Sequence, residues 1–338
     1  MRLSRNKSTV SAIASGRHSE IGQSPDWAGV LNVARHSCMS QPLYMAVKDR
    51  REELAIPDDI FQRLKNDYTI TALTNPAKLH ELDRMSGELA AKNIKTILLK
   101  GAHLLHTVFS NDLGARSMDD IDLLVRQEET VEASGVLESL GYLYLKAGDG
   151  ERPTRMYIKN EGAITHAIHL HSHIVNVSNR YLDLVKASID IDEIWSLATN
   201  DMMRDDHMLI SLCEHAFRHG FARLGMLYDI HSFTGYLAGS IDWDELKRTS
   251  IRWSMETPVY YGLYLAKAFF GTEVQDGIFK ALRPGGLSFF ERRVIERVAR
   301  KDYPDEREYF LFSIFQQRTL QGKLRFLKGC ALARFGVK

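Results

Sequence analysis

The chain has 338 residues, enough to bury a sizeable core in one large or two modest domains. Lys plus Arg number 44 and Asp plus Glu 43, so the net charge of +1 gives no bulk electrostatic case for a nucleic-acid or acidic-polymer partner. Cys38, Cys213 and Cys330 are odd in number and far apart, which argues against a disulfide framework and fits a reducing cytoplasm. The polar N-terminus lacks the apolar core of a signal peptide, and no apolar run approaches the ~20 residues of a membrane span.

Residues 1–24, rich in Ser, Arg, Lys and Gly, read as a mobile tail. Asp26-Trp27 opens a helical pattern. A second helix is expected from Pro57, with Ile60, Phe61, Leu64 and Tyr68 on one face, and a third from Pro76 with Leu79, Leu82 and Leu89 as its stripe. Residues 96–99 form an expected buried strand, 102–109 a short helix and 118–125 the next strand. A helix over 128–140 ends at Gly141, a residue suited to a helix stop. A strand over 142–145 and a hairpin over 156–174, turning at Asn160-Glu161-Gly162, complete a small mixed sheet. From Tyr181 onward the pattern is helical: segments 208–219 and 224–237, then Asp242 with Glu245, Thr257-Pro258, and Ser288 with Glu291 as helix starts. The expected fold is α/β (α+β): a mixed-sheet core over 25–178 with N-terminal helices, then a helical domain over 179–338.

The chemistry concentrates between Lys95 and Val125. An apolar run ends on Lys100-Gly101, where a strand hands over to a helix and free N–H groups favour an anion. A second apolar run carries Asp120 and Asp122, which share a strand face while Ile121 and Leu123 turn into the core. Adjacent carboxylates repel, and a hard cation such as Mg²⁺ relieves that repulsion while keeping positions for water and phosphate. The alternative is a pair of solvent-facing acids on an edge strand. Lys100 and Arg116 can each meet a phosphate, the first as a point charge and the second as a fork. Otherwise Lys100 is an exposed helix-start residue and Arg116 pairs with Asp112 or Asp119.

Leu98-Leu99-Lys100-Gly101 followed by Arg116-Ser-Met-Asp-Asp120-Ile-Asp122-Leu-Leu-Val125 resembles the uncharacterised nucleotidyltransferase family of the DNA polymerase beta-like superfamily. The likeness extends from about Trp27 to about Trp253. It implies a Mg²⁺- or Mn²⁺-dependent transferase that moves a nucleoside monophosphate from a nucleoside triphosphate to an acceptor hydroxyl and releases pyrophosphate. It implies Asp120 and Asp122 as metal ligands, with Lys100, Gly101 and Arg116 at the nucleotide. The acceptor, whether sugar, lipid, peptide or protein, is unread. The resemblance also leaves phosphoryl transfer from the same pocket, or nucleotide or partner binding without turnover, as alternatives. It places a third carboxylate on a later strand, where this chain has His169, with His171 two residues on and Ser172 in place of an aromatic. His169 can take a general-base role. His215, His219 and Asp229 match polar positions of the family's helical part and are expected to line the cleft, or to hydrogen-bond between helices.

The histidines support a competing reading. His169, His171 and His173 alternate on one strand face, and His215 and His219 are four apart on a helix, so a His-ligated metal hydrolase is the lesser alternative. Residues 311–338 contain Arg318, Lys323, Arg325, Lys328, Arg334 and Lys338 and no acid, a basic segment that either packs on the helical domain or docks weakly on a membrane or protein.

Overall fold

The computed structural model describes residues 4–21, 24–145, 154–175, 188–284 and 289–301, and beyond these 307, 310–312, 314, 323–324 and 327. Five strands form one mixed sheet: β1 (Ile97–Leu99), β2 (Ile121–Leu124), β3 (Leu143–Leu145), β4 (Thr154–Glu161) and β5 (Ile164–His171), in the order β1-β2-β5-β4-β3. β2 runs parallel to β5, and the other neighbours are antiparallel. The expected α+β architecture is therefore present, with helices before and after a mixed sheet.

The register sets the site. Ile121, Asp122, Leu123 and Leu124 pair with Ile168, His169, Leu170 and His171. Successive strand residues alternate faces. Ile121, Leu123, Ile168 and Leu170 are buried in the core, and Asp122, His169 and His171 project from the opposite face. The hairpin turns at Gly162, whose φ of +58° is the left-handed conformation that glycine adopts without steric cost.

Two long-range features depart from the sequence-based expectation. The helices expected from Pro57 and Pro76 are one helix, Asp58–Ala91, with Pro76 inside it. An internal proline costs about 3 kcal/mol, but both halves have apolar residues in the core, Ile60 and Leu64 before it and Leu82, Met85 and Leu89 after it. Asn75, next to Pro76, donates from Nδ2 to the carbonyls of Leu113 and Arg116, 2.7 Å each, so the helix also holds the loop ahead of β2.

Residues 5–14 are a helix and not a mobile tail. Ser4 caps it, accepting from the Lys7 N–H at 3.2 Å, and Val10, Ala12 and Ile13 are buried. Lys7 is itself buried and donates from Nζ to the carbonyls of Ala222, Ala299 and Lys301 at 3.1, 2.8 and 2.8 Å. Those acceptors come from remote segments, so local composition gave no sign of them.

The helix expected over 102–109 is Lys100–His106, and the strand expected over 118–125 is shorter. Gly141 follows the helix Thr130–Ser139 with φ +85°, as expected of a helix stop. Downstream helices include Asp205–Arg218, Leu224–Tyr236, Trp243–Arg252 and Glu256–Phe270, and Asp242 caps the third by accepting from the Glu245 N–H at 2.8 Å. The helical onset expected at Tyr181, the Ser288 cap and most of the basic segment 311–338 lie outside the described residues. Among the described residues, no helix is long and apolar enough to cross a membrane.

Candidate active site

A cleft of about 380 Å³ opens between β2 and β5 on one side and the helices Asp205–Arg218 and Leu224–Tyr236 on the other. Lys100, Gly101, Arg116, Asp120, Asp122, His169, His215, His219 and Asp229 all line it. His171 sits behind it, fully buried and bonded to Asp122. The tertiary fold thus brings residues from Lys100 to Asp229, more than a hundred positions apart, to one cleft.

Asp122 is the centre of a polar cluster and is 2% exposed. Its Oδ1 accepts from Lys100 Nζ at 2.7 Å and from His171 Nε2 at 2.6 Å, and His169 Nδ1 lies 3.5 Å away. Burial favours the neutral acid, but the Lys100 charge and then the two histidine bonds outweigh it and hold Asp122 well below the usual carboxylate range. Asp122 is therefore ionised, so His171 donates from Nε2, and its Nδ1 accepts from the Thr154 hydroxyl at 3.0 Å. Burial in turn pushes His171 below the ordinary imidazole value, against the pull of Asp122.

His169 is different. Its Nδ1 lies 2.9 Å from Asp120 Oδ2. Burial opposes its charge, but hydrogen bonds to Asp120 and Asp122 raise its pKa to about 9. At neutral pH the ring is an imidazolium between two carboxylates.

Lys100 begins its helix with φ +45°, a left-handed conformation that costs a non-glycine residue roughly 1–2 kcal/mol. Gly101, the next residue, answers a close approach and not a positive φ. A Cβ at that position would lie 2.7 Å from Arg116 Nη1, so glycine makes room for the guanidinium. Arg116 pairs with neither Asp112 nor Asp119. Its Nε and Nη2 grip Asp229 Oδ1 and Oδ2 at 2.8 and 2.9 Å, and its Nη1 donates to the Ser117 carbonyl at 3.0 Å. Asp229 thus serves as the partner of an arginine.

The helical wall is cationic and imidazole-rich. The His215 and His219 rings are 4.8 Å apart, and His215 Nδ1 accepts from Arg218 Nη2 at 3.0 Å. Burial, then the Lys100 charge, holds His215 well below its ordinary value, so it is neutral. Sequence reading assigned no role to Arg218 or Arg223, which also line the cleft. Arg218 ends the helix that carries His215, whereas Arg223 precedes the next helix with no local signal. Among the described residues the Arg223 guanidinium makes no hydrogen bond or ion pair.

The three-histidine metal face is corrected. β5 ends at His171, and His173 lies beyond it, its Nδ1 accepting from the Val175 N–H at 3.1 Å. Among the described residues, the group of His, Cys, Asp or Glu whose donor atoms fall within 4.8 Å of one another is Asp122, His169 and His171. The pair His215 and His219 is not part of that group.

A family model described as "Uncharacterised nucleotidyltransferase" matches residues 23–271. No curated protein and no solved structure matches the chain.

Proposed function

Because this chain belongs to the uncharacterised nucleotidyltransferase family, we propose that its cleft moves a nucleoside monophosphate from a metal-bound nucleoside triphosphate to an acceptor hydroxyl, releasing pyrophosphate. The observation that carries this reading is the facing of two charge types. Asp120 and Asp122 stand on the sheet side, and Lys100, Arg116, Arg218 and Arg223 surround the same cleft. A triphosphate with its cation needs both.

The donor set fits a divalent ion, since two carboxylates with phosphate oxygens suffice to hold one. Asp120 and Asp122 would hold it, with His169 in the position of the third acid. Such an ion, when bound, would orient the triphosphate and neutralise charge on the departing pyrophosphate. Mg²⁺ and Mn²⁺ are the ions this chemistry ordinarily uses.

The chain's own residues would position and neutralise. Arg223, with its guanidinium uncommitted, is the first cation available to the β- and γ-phosphates. Lys100 lies close enough to Asp122 to exchange a carboxylate for a phosphate oxygen as substrate arrives. Arg116 keeps its fork on Asp229 and would add its remaining N–H groups at Nη1 and Nη2. His169 is an imidazolium in this state, so it would serve as general base toward the acceptor only after losing that proton. His215, neutral and cleft-lining, is a second group able to accept a proton.

The test is calorimetric titration of the four ribonucleoside triphosphates, with and without divalent metal, into wild type, Asp122→Asn and Arg223→Gln. Metal-dependent binding that is abolished in the first variant and weakened about tenfold in the second supports the reading. Absence of binding by every triphosphate sinks it. α- against γ-labelled nucleotide with cell extract then separates nucleotidyl from phosphoryl transfer.

A further inference from the structure

An all-oxygen site for a hard ion would surround Asp120 and Asp122 with further carboxylates, carbonyls and water. The further carboxylates of this cleft, Asp119 and Asp229, stand outside the donor group that converges on Asp122. The strand beside Asp122 presents two imidazoles, His169 at the paired position and His171 two residues on. Mg²⁺ takes oxygen ligands and gives up its water reluctantly. Imidazole suits the later divalent ions, which bind mixed nitrogen and oxygen sets far more tightly.

We propose that Asp122, His169 and His171 form a mixed nitrogen–oxygen site for a first-row transition ion of the Mn²⁺, Co²⁺ or Zn²⁺ type, held in preference to Mg²⁺. This rests on the reading of the cleft as a metal-dependent transferase for what the ion does there, with His169 then a ligand and His215 left as the group that accepts a proton.

The geometry supplies the ligands. Asp122 Oδ1, His169 Nδ1 and His171 Nε2 lie within 4.8 Å of one another. Oδ1 is 2.6 Å from the second nitrogen and 3.5 Å from the first. Bonds of about 2.0–2.2 Å to one ion place adjacent ligands roughly 3 Å apart, so the two oxygen–nitrogen spacings are close to what one ion needs. Asp120 Oδ2, 2.9 Å from His169 Nδ1, is within reach as a fourth donor.

The surroundings are those of a held ligand. Histidines that bind metals generally engage their other ring nitrogen, which fixes orientation and tautomer. His171 does so through Nδ1, 3.0 Å from the Thr154 hydroxyl, which β4 places directly opposite it. A hydroxyl both donates and accepts, so it serves the tautomer that frees Nε2 as well as the one that donates to Asp122. Asp122 and His171 are 2% and 0% exposed, so water competes poorly for their donor atoms. The Lys100 ammonium, 2.7 Å from Asp122 Oδ1, is the charge an arriving ion would displace, and the ion would release the His169 ring proton to solvent as it binds Nδ1.

The experiment uses tag-free full chain, dialysed against chelator, titrated with Co²⁺ in the absence of nucleotide and followed by visible absorption and equilibrium dialysis. The expected result is one Co²⁺ per chain with ligand-field bands, retained against roughly a hundredfold excess of Mg²⁺. His169→Gln and His171→Gln should each weaken it by at least about tenfold, while His80→Gln, an exposed histidine on the long helix, leaves it unchanged. If buried His171→Gln fails to fold, His169→Gln, at a partly exposed position, decides alone. Displacement of Co²⁺ by equimolar Mg²⁺, or wild-type affinity in His169→Gln, overturns the proposal. Triphosphate titration of the same preparation separates the two readings. Mg²⁺-dependent nucleotide binding with no retained Co²⁺ overturns this site and leaves the transferase reading standing. Retained Co²⁺ with no nucleotide binding does the reverse.

Discussion

Arg116 and Asp229, 113 positions apart in the chain, meet as a two-pronged ion pair with contacts of 2.8 and 2.9 Å. One side chain precedes β2 and the other belongs to the helix Leu224–Tyr236, so the pair ties the sheet wall of the cleft to its helical wall. The fork geometry fixes the orientation of the guanidinium as well as its position.

Asp229→Ala removes one partner and leaves a half-buried cation. The side chains retain 19% and 12% exposure, so the loss should be about 2–3 kcal/mol, below the ~3–5 of a fully buried pair. Urea unfolding measures it. Arg116→Ala, Asp229→Ala and the double variant should be clearly non-additive, because the second substitution removes a partner already lost. Additive losses would show that the pair contributes nothing as a pair.

Gly101→Ala tests the close approach to Arg116. Its Cβ would stand 2.7 Å from Arg116 Nη1, and that guanidinium is anchored on Asp229 and cannot swing aside freely. The expected cost is about 1–3 kcal/mol of overpacking, with a fall in triphosphate affinity. In an Arg116→Ala background the same substitution should cost less, because only the contact with Met118 Cγ at 3.2 Å remains tight. An equal cost in both backgrounds would place the constraint elsewhere.

Lys7→Met tests the N-terminal helix. The methionine keeps the aliphatic stem but leaves three carbonyls without the ammonium, those of Ala222, Ala299 and Lys301. Hydrogen bonds to a charged group contribute about 1.5–3 kcal/mol each, so a loss of at least ~2 kcal/mol is expected by thermal or urea unfolding. Ala222 adjoins Arg223, so triphosphate binding should weaken as well. Wild-type stability in this variant would return residues 1–24 to the status of a dispensable tail.

Glu81 gives a pH signature remote from the cleft. It accepts from Arg84 at 2.6 and 2.8 Å, from the Tyr142 hydroxyl at 2.9 Å and from Lys159 at 3.1 Å. The Arg84 bonds, helped by Lys159 and Tyr142 against the opposing effect of burial, lower its pKa to about 2. The folded value lies below the unfolded one of about 4.3. Its stabilisation is therefore fully present above that unfolded value and is lost as pH falls toward 2. Glu81→Gln should be less stable than wild type at pH 7, and the gap should narrow between pH ~4 and pH ~2. A gap that stays constant over that range would mean the charge is not what stabilises.

The sequence by itself determined a good deal. Period-two alternation in Ile121-Asp122-Leu123 was enough to place Asp122 opposite the core face, because strand geometry is local, while Asp120 stands just ahead of the strand. Gly162 and Gly141 marked their turns because backbone conformation is a property of the residue itself. The Lys100-Gly101 and Asp120/Asp122 pattern identified the family that residues 23–271 match.

What stayed illegible was partnership over distance. Pro76 reads locally as a helix start, and only the burial of apolar residues on both sides of it keeps one helix running through. Residues 5–14 read as tail because the carbonyls that receive Lys7 belong to segments more than two hundred positions away. The register of β5 against β2 decided that His169 and His171, and not His173, stand with Asp122, since a strand's neighbours are chosen by pairing and not by spacing. That Arg116 holds Asp229, and that Arg223 is left without a side-chain partner among the described residues, followed from how the helices close over the sheet. Charge pairing depends on three-dimensional proximity, which no local pattern in this chain encodes.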